Sequence, residues 1–330
     1  MSNEQVNWLL KLIQPERSVA SLPGGANFDQ DAHAALLGLP AEVYAAELGR
    51  LQREASEAAS VLLTNQAVGL MIDRLPLRNG ANIVTFGDSL TSDPQSWAVI
   101  LREMLKMRRG ADNISMTISA VAGETTTHGL VRFGEIANAQ PDWVIFLIGT
   151  NDARTQGPHP TKTLVHHEET ARNIAELRQR VATETKARTI WITPPAANEA
   201  QVAAHWGLSR FGVRFRNEDL GRVAEIVRDE TGAYTLLETF VPPCVRIDAS
   251  PFLQAGLRRI VGAMTTRQRA LADSRRERDA SSVEFAAQDV SRYLLLSAIN
   301  ARLPVLNSLS EAGDIHPRAL YFILTEFAGH

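Results

Sequence analysis

The alternation of short apolar runs with amphipathic segments, from residue 81 onward, most constrains the fold of this chain. Between two of the runs, a helical segment carries Trp97, Ile100 and Met104 on one face. Short strands alternating with helices are typical of parallel βαβ units, so the pattern predicts an α/β domain. The predicted strands are Ile83–Phe86, Ile114–Val121, Trp143–Ile148, Thr189–Thr193 and Tyr234–Leu237.

Two further regions differ from this alternation. Residues 1–80 are predicted to be helical, with a stripe of apolar residues between Val43 and Leu62 and a loop at Pro23–Gly25. Residues 241–304 are interpreted as one or two further helices, forming an insertion before the C-terminal segment. The run from Arg267 to Asp279 mixes both charge signs and is interpreted as a solvated helix face.

Composition excludes several functional classes for the 330-residue chain. A formal net charge of -3 gives no global attraction to nucleic acid or to an acidic membrane surface. The single cysteine, Cys244, rules out an intramolecular disulfide. No apolar run is long enough for a signal peptide or a membrane span, so a cytoplasmic protein without membrane insertion is expected.

Polar residues follow three of the predicted strands at the point where each ends. Gly87-Asp88-Ser89 follows the first strand, Ala122-Gly123-Glu124 the second, and Gly149-Thr150-Asn151-Asp152 the third. Because parallel strands deliver their carboxyl ends to one edge of a sheet, these residues are expected to meet there. Acyl transfer requires a nucleophile and several donors for an oxyanion, which the Ser89 hydroxyl, the Ser89 and Gly123 amides and the Asn151 carboxamide would supply. A base is also required, and the late His316 is the candidate.

Four segments in order, "FGDSLT", "AVAGETT", "IGTNDAR" and "GDIHP", resemble the four blocks of the SGNH, or GDSL, hydrolase family. The resemblance covers roughly residues 81–240 and 305–330. It implies that Ser89 is the nucleophile and His316 the general base, and that Gly123 and Asn151 complete an oxyanion hole with the Ser89 amide. It also implies that Asp88 holds the turn through hydrogen bonds.

The fourth block departs from the family pattern, in which an acid stands three residues before the histidine. Gly313 occupies that position here, and the carboxylate is Asp314, two residues before His316. Three explanations stay open. Asp314 orients His316 through a shifted loop, another acid such as Glu311 does so, or the enzyme works as a Ser-His dyad. Asp314 is the favoured third member of the triad.

Several other residues invite functional readings that the pattern does not favour. The "HHEE" run that begins at His166 lacks the spacing of a helical zinc motif and is interpreted as a solvated helix start. His128 is interpreted as a core or rim histidine, and Arg154 either faces the cleft and meets an anionic substrate group or forms a plain salt bridge. Asp248 is an alternative acid only if its loop folds back toward His316.

These inferences predict a three-layer, flavodoxin-like α/β hydrolase domain over residues 81–330, with about five parallel strands, a helical extension over 1–80 and a helical insertion over 241–304. The predicted function is hydrolysis of short- to medium-chain or acetyl carboxylic esters through an acyl-Ser89 intermediate, without metal or organic cofactor. The insertion is expected to form a lid, an acyl-chain wall or a homo-oligomer contact. An acyltransferase with the same acyl-enzyme and a catalytically degenerate binding module are the alternatives.

Overall fold

The structure, a computed structural model, describes residues 3–19 and 27–231. Its strands are β1 Asn82–Gly87, β2 Ser115–Ala120, β3 Trp143–Leu147, β4 Arg154–Thr155, β5 Arg188–Trp191 and β6 Arg214–Phe215. Four of them form a parallel sheet in the order β2-β1-β3-β5, whereas β4 and β6 form a short antiparallel pair. The first four predicted strands are therefore confirmed, with ends that differ by one or two residues.

Helices connect the strands and precede the sheet. They are α1 Asn3–Leu12, α2 Pro15–Ser18, α3 Gln30–Leu36, α4 Ala41–Leu63, α5 Gln66–Asp73, α6 Ser89–Ser92, α7 Trp97–Arg109, α8 Thr126–Arg132, α9 Gly134–Ala139, α10 His167–Glu184, α11 Glu199–Ala204, α12 Trp206–Ser209 and α13 Asn217–Thr231. A 3-10 turn at Gly110–Asp112 follows α7. Side-chain caps help to fix the helix starts, as at α7, where the Ser96 hydroxyl accepts a hydrogen bond from the Val99 amide.

Both faces of the parallel sheet are buried, which makes the domain three-layered. Successive residues of a strand point to opposite faces, so β1 and β3 each contribute to two separate hydrophobic clusters. Ile83 and Ile145 pack on the side of α4, α5 and α7. Phe86 and Phe146 pack on the side of α8, α10 and α13, where Phe146 also stacks on Trp191 with ring centroids 4.0 Å apart. The predicted α/β class is confirmed.

The N-terminal helices are present and pack against the sheet domain. Ala55 and Ala59 of the long helix α4 belong to the cluster that covers one face of the sheet, whereas Tyr44 and Leu51 join α1 and α3 in a third cluster. This arrangement explains the length of the apolar stripe in the sequence, because one helix serves two cores.

Helix α1 also contacts two connections of the sheet. The Lys11 ammonium lies 3.8 Å from the carboxylate of Asp93, which closely follows the β1 turn. The Trp8 ring lies 4.9 Å from Trp206 in α12, between centroids, and a Cβ added at Gly207 would lie 2.6 Å from Trp8. The helix therefore bridges the connections that follow β1 and β5.

The remaining architectural predictions fall on residues outside the described ranges. These are the fifth strand at Tyr234–Leu237, the insertion over 241–304, and the C-terminal block with Glu311, Asp314 and His316. Within residues 3–19 and 27–231, no helix combines the length and the apolar character that crossing a membrane requires.

Candidate active site

The turn after β1 presents Ser89 at the first position of α6. Asp88 caps this helix, since its Oδ1 accepts a hydrogen bond of 3.0 Å from the Leu90 amide, as the family resemblance implies. A Cβ at Gly87 would lie only 2.3 Å from the Leu147 carbonyl oxygen, so a glycine is required for this close approach of β1 to β3. Ser89 itself is half-buried at the end of the strand.

The Asp88 carboxylate is fully buried and incompletely hydrogen-bonded. Its Oδ2 has no hydrogen-bond partner among the described residues. Burial raises the pKa of Asp88 to about 7. The nearby Thr150 hydroxyl lowers that pKa by a smaller amount, although its geometry falls short of a full hydrogen bond. A carboxyl group that titrates near neutrality therefore adjoins the predicted nucleophile.

The loop after β2 holds Gly123 in the left-handed region, with φ of +84°, a conformation that glycine adopts without steric cost. No heavy atom of the described residues lies within 4 Å of the position that a Cβ would occupy there, so these residues leave the approach to this backbone open. The loop is tied to the first turn, because the Val121 amide donates to the Gly87 carbonyl over 3.2 Å.

The loop after β3 carries Asn151, which is buried, and joins it to the second loop. The Asn151 Nδ2 donates to the Glu124 carbonyl over 2.9 Å. A primary amide has two N–H donors, so this bond leaves one for another acceptor. Gly87 thus joins the loops that follow β1 and β2, and Asn151 joins the loops that follow β2 and β3. These loops meet at one edge of the sheet, as the strand-end pattern predicts.

A buried network around Asp152 was missed by the sequence analysis. Its Oδ1 accepts from the Thr126 amide over 2.8 Å, and its Oδ2 accepts from the hydroxyls of Thr126 and Thr170, the latter over 2.9 Å. Asn173 donates in turn to the Thr126 hydroxyl over 3.0 Å. Burial raises the pKa of Asp152, whereas these hydrogen bonds lower it to a smaller extent. The only sequence signal for this network is a carboxylate shortly after a buried strand. Its hydrogen-bond partners could not be predicted, because they are remote in sequence.

Three of the described histidines lie near polar groups of other residues. The Nδ1 of His128 accepts from the Thr125 amide over 3.2 Å in a capping box, and the Nδ1 of His205 accepts from the Gly207 and Leu208 amides. His167 lies with its Nε2 3.9 Å from Asp219. Within the described part of the chain, no group of three or more His, Cys, Asp or Glu residues is placed to hold a metal ion.

Arg154, at the start of β4, contacts the loop that follows β3. Its Nη1 donates to the Asn151 Oδ1 over 3.3 Å, and the attraction of the Asp88 carboxylate raises its pKa, whereas burial lowers that pKa by a larger amount. The sequence predicted either a contact with an anionic substrate group or a plain salt bridge for Arg154, and neither prediction includes the contact with Asn151.

Two stretches of the chain match the models of two different protein families. Residues 83–234 match the model of the GDSL-like Lipase/Acylhydrolase family, so the resemblance to SGNH hydrolases is confirmed over this stretch. The stretch contains the first three of the four sequence blocks. Residues 216–330 match a different model, Bacterial Type VI secretion, VC_A0110, EvfL, ImpJ, VasE. The fourth block, with Asp314 and His316, lies in this second match.

A curated relative agrees with the second match. The type VI secretion system baseplate component TssK1 of Pseudomonas aeruginosa is 29% identical to this chain over 140 residues, which are 41% of this chain. The aligned part of this chain spans only 31% of the length of that relative.

Two solved structures are similar to about half of the chain at low identity. LAE5, an alpha/beta hydrolase enzyme from the metagenome of Lake Arreo, Spain, is 18% identical with a TM-score of 0.40, and the likeness covers 50% of this chain and 81% of that one. The acetylxylan esterase Axe2 of Geobacillus stearothermophilus is 18% identical with a TM-score of 0.38, and that likeness covers 49% of this chain and 79% of Axe2.

Proposed function

We propose that this chain hydrolyses carboxylic esters of acetyl or short- to medium-chain acyl groups through a covalent acyl-Ser89 intermediate. The observation that carries the proposal is the linkage of the turns bearing Ser89, Gly123 and Asn151 at one sheet edge. The match of residues 83–234 to a family of lipases and acylhydrolases supports it independently.

The mechanism assigns each of these groups one role. The Ser89 oxygen attacks the ester carbonyl while a base takes the hydroxyl proton, and the amides of Ser89 and Gly123 and the free N–H of Asn151 donate to the oxyanion. Collapse of the tetrahedral intermediate expels the alcohol, which receives the proton. Water, deprotonated by the same base, then attacks the acyl-Ser89 ester and releases the carboxylic acid.

His316 is proposed as that base and Asp314 as its orienting acid. Both lie in the stretch that matches the type VI secretion family, and the match to the hydrolase family ends at residue 234. The base is therefore the part of the mechanism that most needs an experiment. With Asp314→Asn, an unchanged kcat/KM beside an inactive His316→Ala variant would establish a Ser-His dyad.

The test is intact-mass spectrometry of the full chain after treatment with a fluorophosphonate, together with turnover of p-nitrophenyl acetate, butyrate and octanoate. We expect one adduct and ester turnover, both lost in Ser89→Ala, and loss of turnover in His316→Ala. Retained activity in a folded His316→Ala variant would place the base elsewhere. Ester products formed with added alcohols would instead support the acyltransferase, and folded wild-type protein without adduct or turnover would support the degenerate binding module.

A second proposed function concerns the C-terminal third of the chain. We propose that residues 216–330 attach the hydrolase domain to a type VI secretion baseplate, because this stretch matches a type VI secretion family and the chain resembles a baseplate component. Affinity purification of the tagged full chain from cells that assemble such a system should recover identified baseplate components, equally with Ser89→Ala. Their absence from assembled preparations would refute the proposal.

A further inference from the structure

We propose that Arg154 is a positioning residue that fixes the orientation of the Asn151 carboxamide as an oxyanion donor. The inference rests on the proposed ester hydrolysis, to which it adds a residue that the four sequence blocks assign no role. Its basis is that a hydrogen-bond donor binds the oxygen of the Asn151 carboxamide and a hydrogen-bond acceptor binds its nitrogen.

The carboxamide oxygen and nitrogen are each matched to one partner. Arg154, which can only donate, binds the Asn151 Oδ1 over 3.3 Å, and the Glu124 carbonyl, which can only accept, binds Nδ2 over 2.9 Å. A rotation of the amide by 180° would place N–H groups against the guanidinium and an oxygen against the carbonyl. Both pairs are repulsive, so the observed orientation is the one in which the second N–H stays available to a ligand.

The backbone holds Arg154 in place for this contact. Arg154 pairs with Phe215 in the short antiparallel ladder of β4 and β6. Its amide donates to the Asn151 carbonyl over 3.2 Å, and its carbonyl accepts from the Leu164 amide over 2.8 Å. Because main-chain hydrogen bonds fix residues 151 and 154 relative to each other, the backbone holds the guanidinium at a constant position beside the carboxamide.

Burial lowers the pKa of the Arg154 guanidinium, and the attraction of the Asp88 carboxylate raises that pKa by a smaller amount, but arginine keeps its charge near neutral pH. The guanidinium is half-buried and attracted by the Asp88 carboxylate, whereas its Nε forms no hydrogen bond with the described residues. A cation at this position also strengthens the donor character of Asn151, since it withdraws electron density from the amide through the carbonyl oxygen. Arg154 thus connects the turn of the nucleophile electrostatically to the turn of the oxyanion donor.

The test uses Arg154→Met in the full chain, which removes the donors and the charge but keeps much of the length. With p-nitrophenyl acetate, a neutral ester, we expect kcat to fall on the order of 10–100-fold with KM nearly unchanged. Arg154→Lys should recover part of the loss. Arg214→Met is the matched control, because it changes the same charge in the paired strand β6 and should leave kcat unaltered.

Two further readouts separate positioning from a merely structural role. In an Asn151→Ala background, Arg154→Met should cause no additional loss of kcat, because the group that it orients is absent. In NMR spectra of the full chain, the side-chain amide signals of Asn151, assigned by their loss in Asn151→Ala, should shift in Arg154→Met and stay in Arg214→Met.

Each outcome decides one of the claims. An active wild type whose kcat is insensitive to Arg154→Met would overturn the positioning role. A rise in KM confined to an anionic ester, such as a p-nitrophenyl hemisuccinate, would overturn it in favour of an anion-binding role. An inactive wild type would refute the proposed hydrolysis instead, and the NMR shifts would still decide whether Arg154 orients Asn151.

Discussion

The turns after β1 and β3 each bury an aspartate beside a predicted catalytic residue, but they stabilise it differently. Asp152, next to Asn151, accepts three hydrogen bonds from Thr126 and Thr170. Asp88, next to Ser89, accepts one side-chain hydrogen bond, from the Leu90 amide, and its Oδ2 has no such partner among the described residues. The third turn is thus anchored by its carboxylate, whereas the first is held by the close packing at Gly87.

The same contrast appears in the glycines. Gly87 has no room for a side chain, because the nearest atom to an added Cβ is a main-chain oxygen 2.3 Å away. Gly149 adopts φ of +108°, and an added Cβ would lie 3.0 Å from a methyl group of Val223. The turn after β1 therefore needs a glycine because there is no room for a side chain, and the turn after β3 needs one because of its backbone conformation. The two requirements can be tested separately.

The largest effect is expected for Gly87→Ala, because neither the Leu147 carbonyl nor the strand that carries it can move without breaking the ladder of β1 and β3. We expect a loss of stability above the ~1–3 kcal/mol that is usual for overpacking, measured by urea unfolding of the full chain. Gly149→Ala should cost less, about 1–3 kcal/mol from strain in φ. Gly134→Ala is the control, since no atom from the described part of the chain lies within 4 Å of its Cβ position. Equal losses at Gly87 and Gly134 would contradict the packing argument.

The next effect is catalytic and concerns the third turn. Asn151→Ala removes one proposed oxyanion donor, so kcat should fall ~10²–10³-fold. The Glu124 carbonyl loses its side-chain donor in this variant, but it lies in an open loop, and the fold should persist. Steady-state kinetics with p-nitrophenyl acetate and a urea curve of the same preparation test both statements. Normal turnover in the folded variant would remove Asn151 from the oxyanion hole.

A smaller loss of stability is expected for Asp152→Ala. The Thr126 amide is left without its acceptor in a buried site, while the two hydroxyls can turn to other partners, so we expect a loss of about 2–3 kcal/mol. Asp152→Asn keeps one acceptor oxygen and should lose less. Urea unfolding of both variants measures the difference. If Asp152→Ala were no more harmful than Asp88→Ala, the contrast between an anchored and an unanchored carboxylate would be wrong.

The smallest effect is expected at Asp88 at low pH, because the effect of this residue depends on pH. Because burial raises the pKa of Asp88 from 3.8 to about 7, the folded state binds its proton more tightly than the unfolded state does. The resulting stabilisation is present below the unfolded pKa and is lost as pH rises through about 7. Asp88→Asn should therefore change stability by less than about 1 kcal/mol at about pH 3.5, which lies below the unfolded pKa.

Near pH 8, Asp88→Asn should be more stable than the wild type, because the wild type then buries a charge that the amide lacks. Urea unfolding at both pH values gives the comparison. A difference between variant and wild type that stays constant from about pH 3.5 to about pH 8 would show that Asp88 does not titrate in this window.

A comparison on a larger scale separates the stretch that matches the hydrolase family from the C-terminal third. Three of the four sequence blocks lie in the stretch that matches the hydrolase family, and "GDIHP" lies in the stretch that matches a type VI secretion family. This division bears directly on the irregular position of Asp314 relative to His316. Helix α13 falls in both matches, and its buried residues Leu220, Val223 and Val227 pack in the hydrophobic cluster of the sheet.

The sequence by itself determined four strands, their parallel arrangement and the polar residues at three strand ends, because apolar periodicity and glycine turns are local properties. It also predicted that Ser89, Gly123 and Asn151 lie at one sheet edge, since their positions follow from the strands that precede them. Only the tertiary structure decided which partners these residues have. Thr126 meets Asp152 across 26 positions of the chain and Asn151 meets Glu124 across 27, and no local pattern specifies such pairs.

The two aspartates illustrate the physical reason for this limit. Both follow a glycine-rich or buried strand end and are indistinguishable in local sequence character. Yet one acquires three donors, whereas one oxygen of the other has no partner among the residues that the structure describes. Whether a buried carboxylate is satisfied depends on the side chains that other elements bring to it. The sequence therefore determined where the site would lie, and tertiary packing determined its hydrogen bonds and its electrostatics.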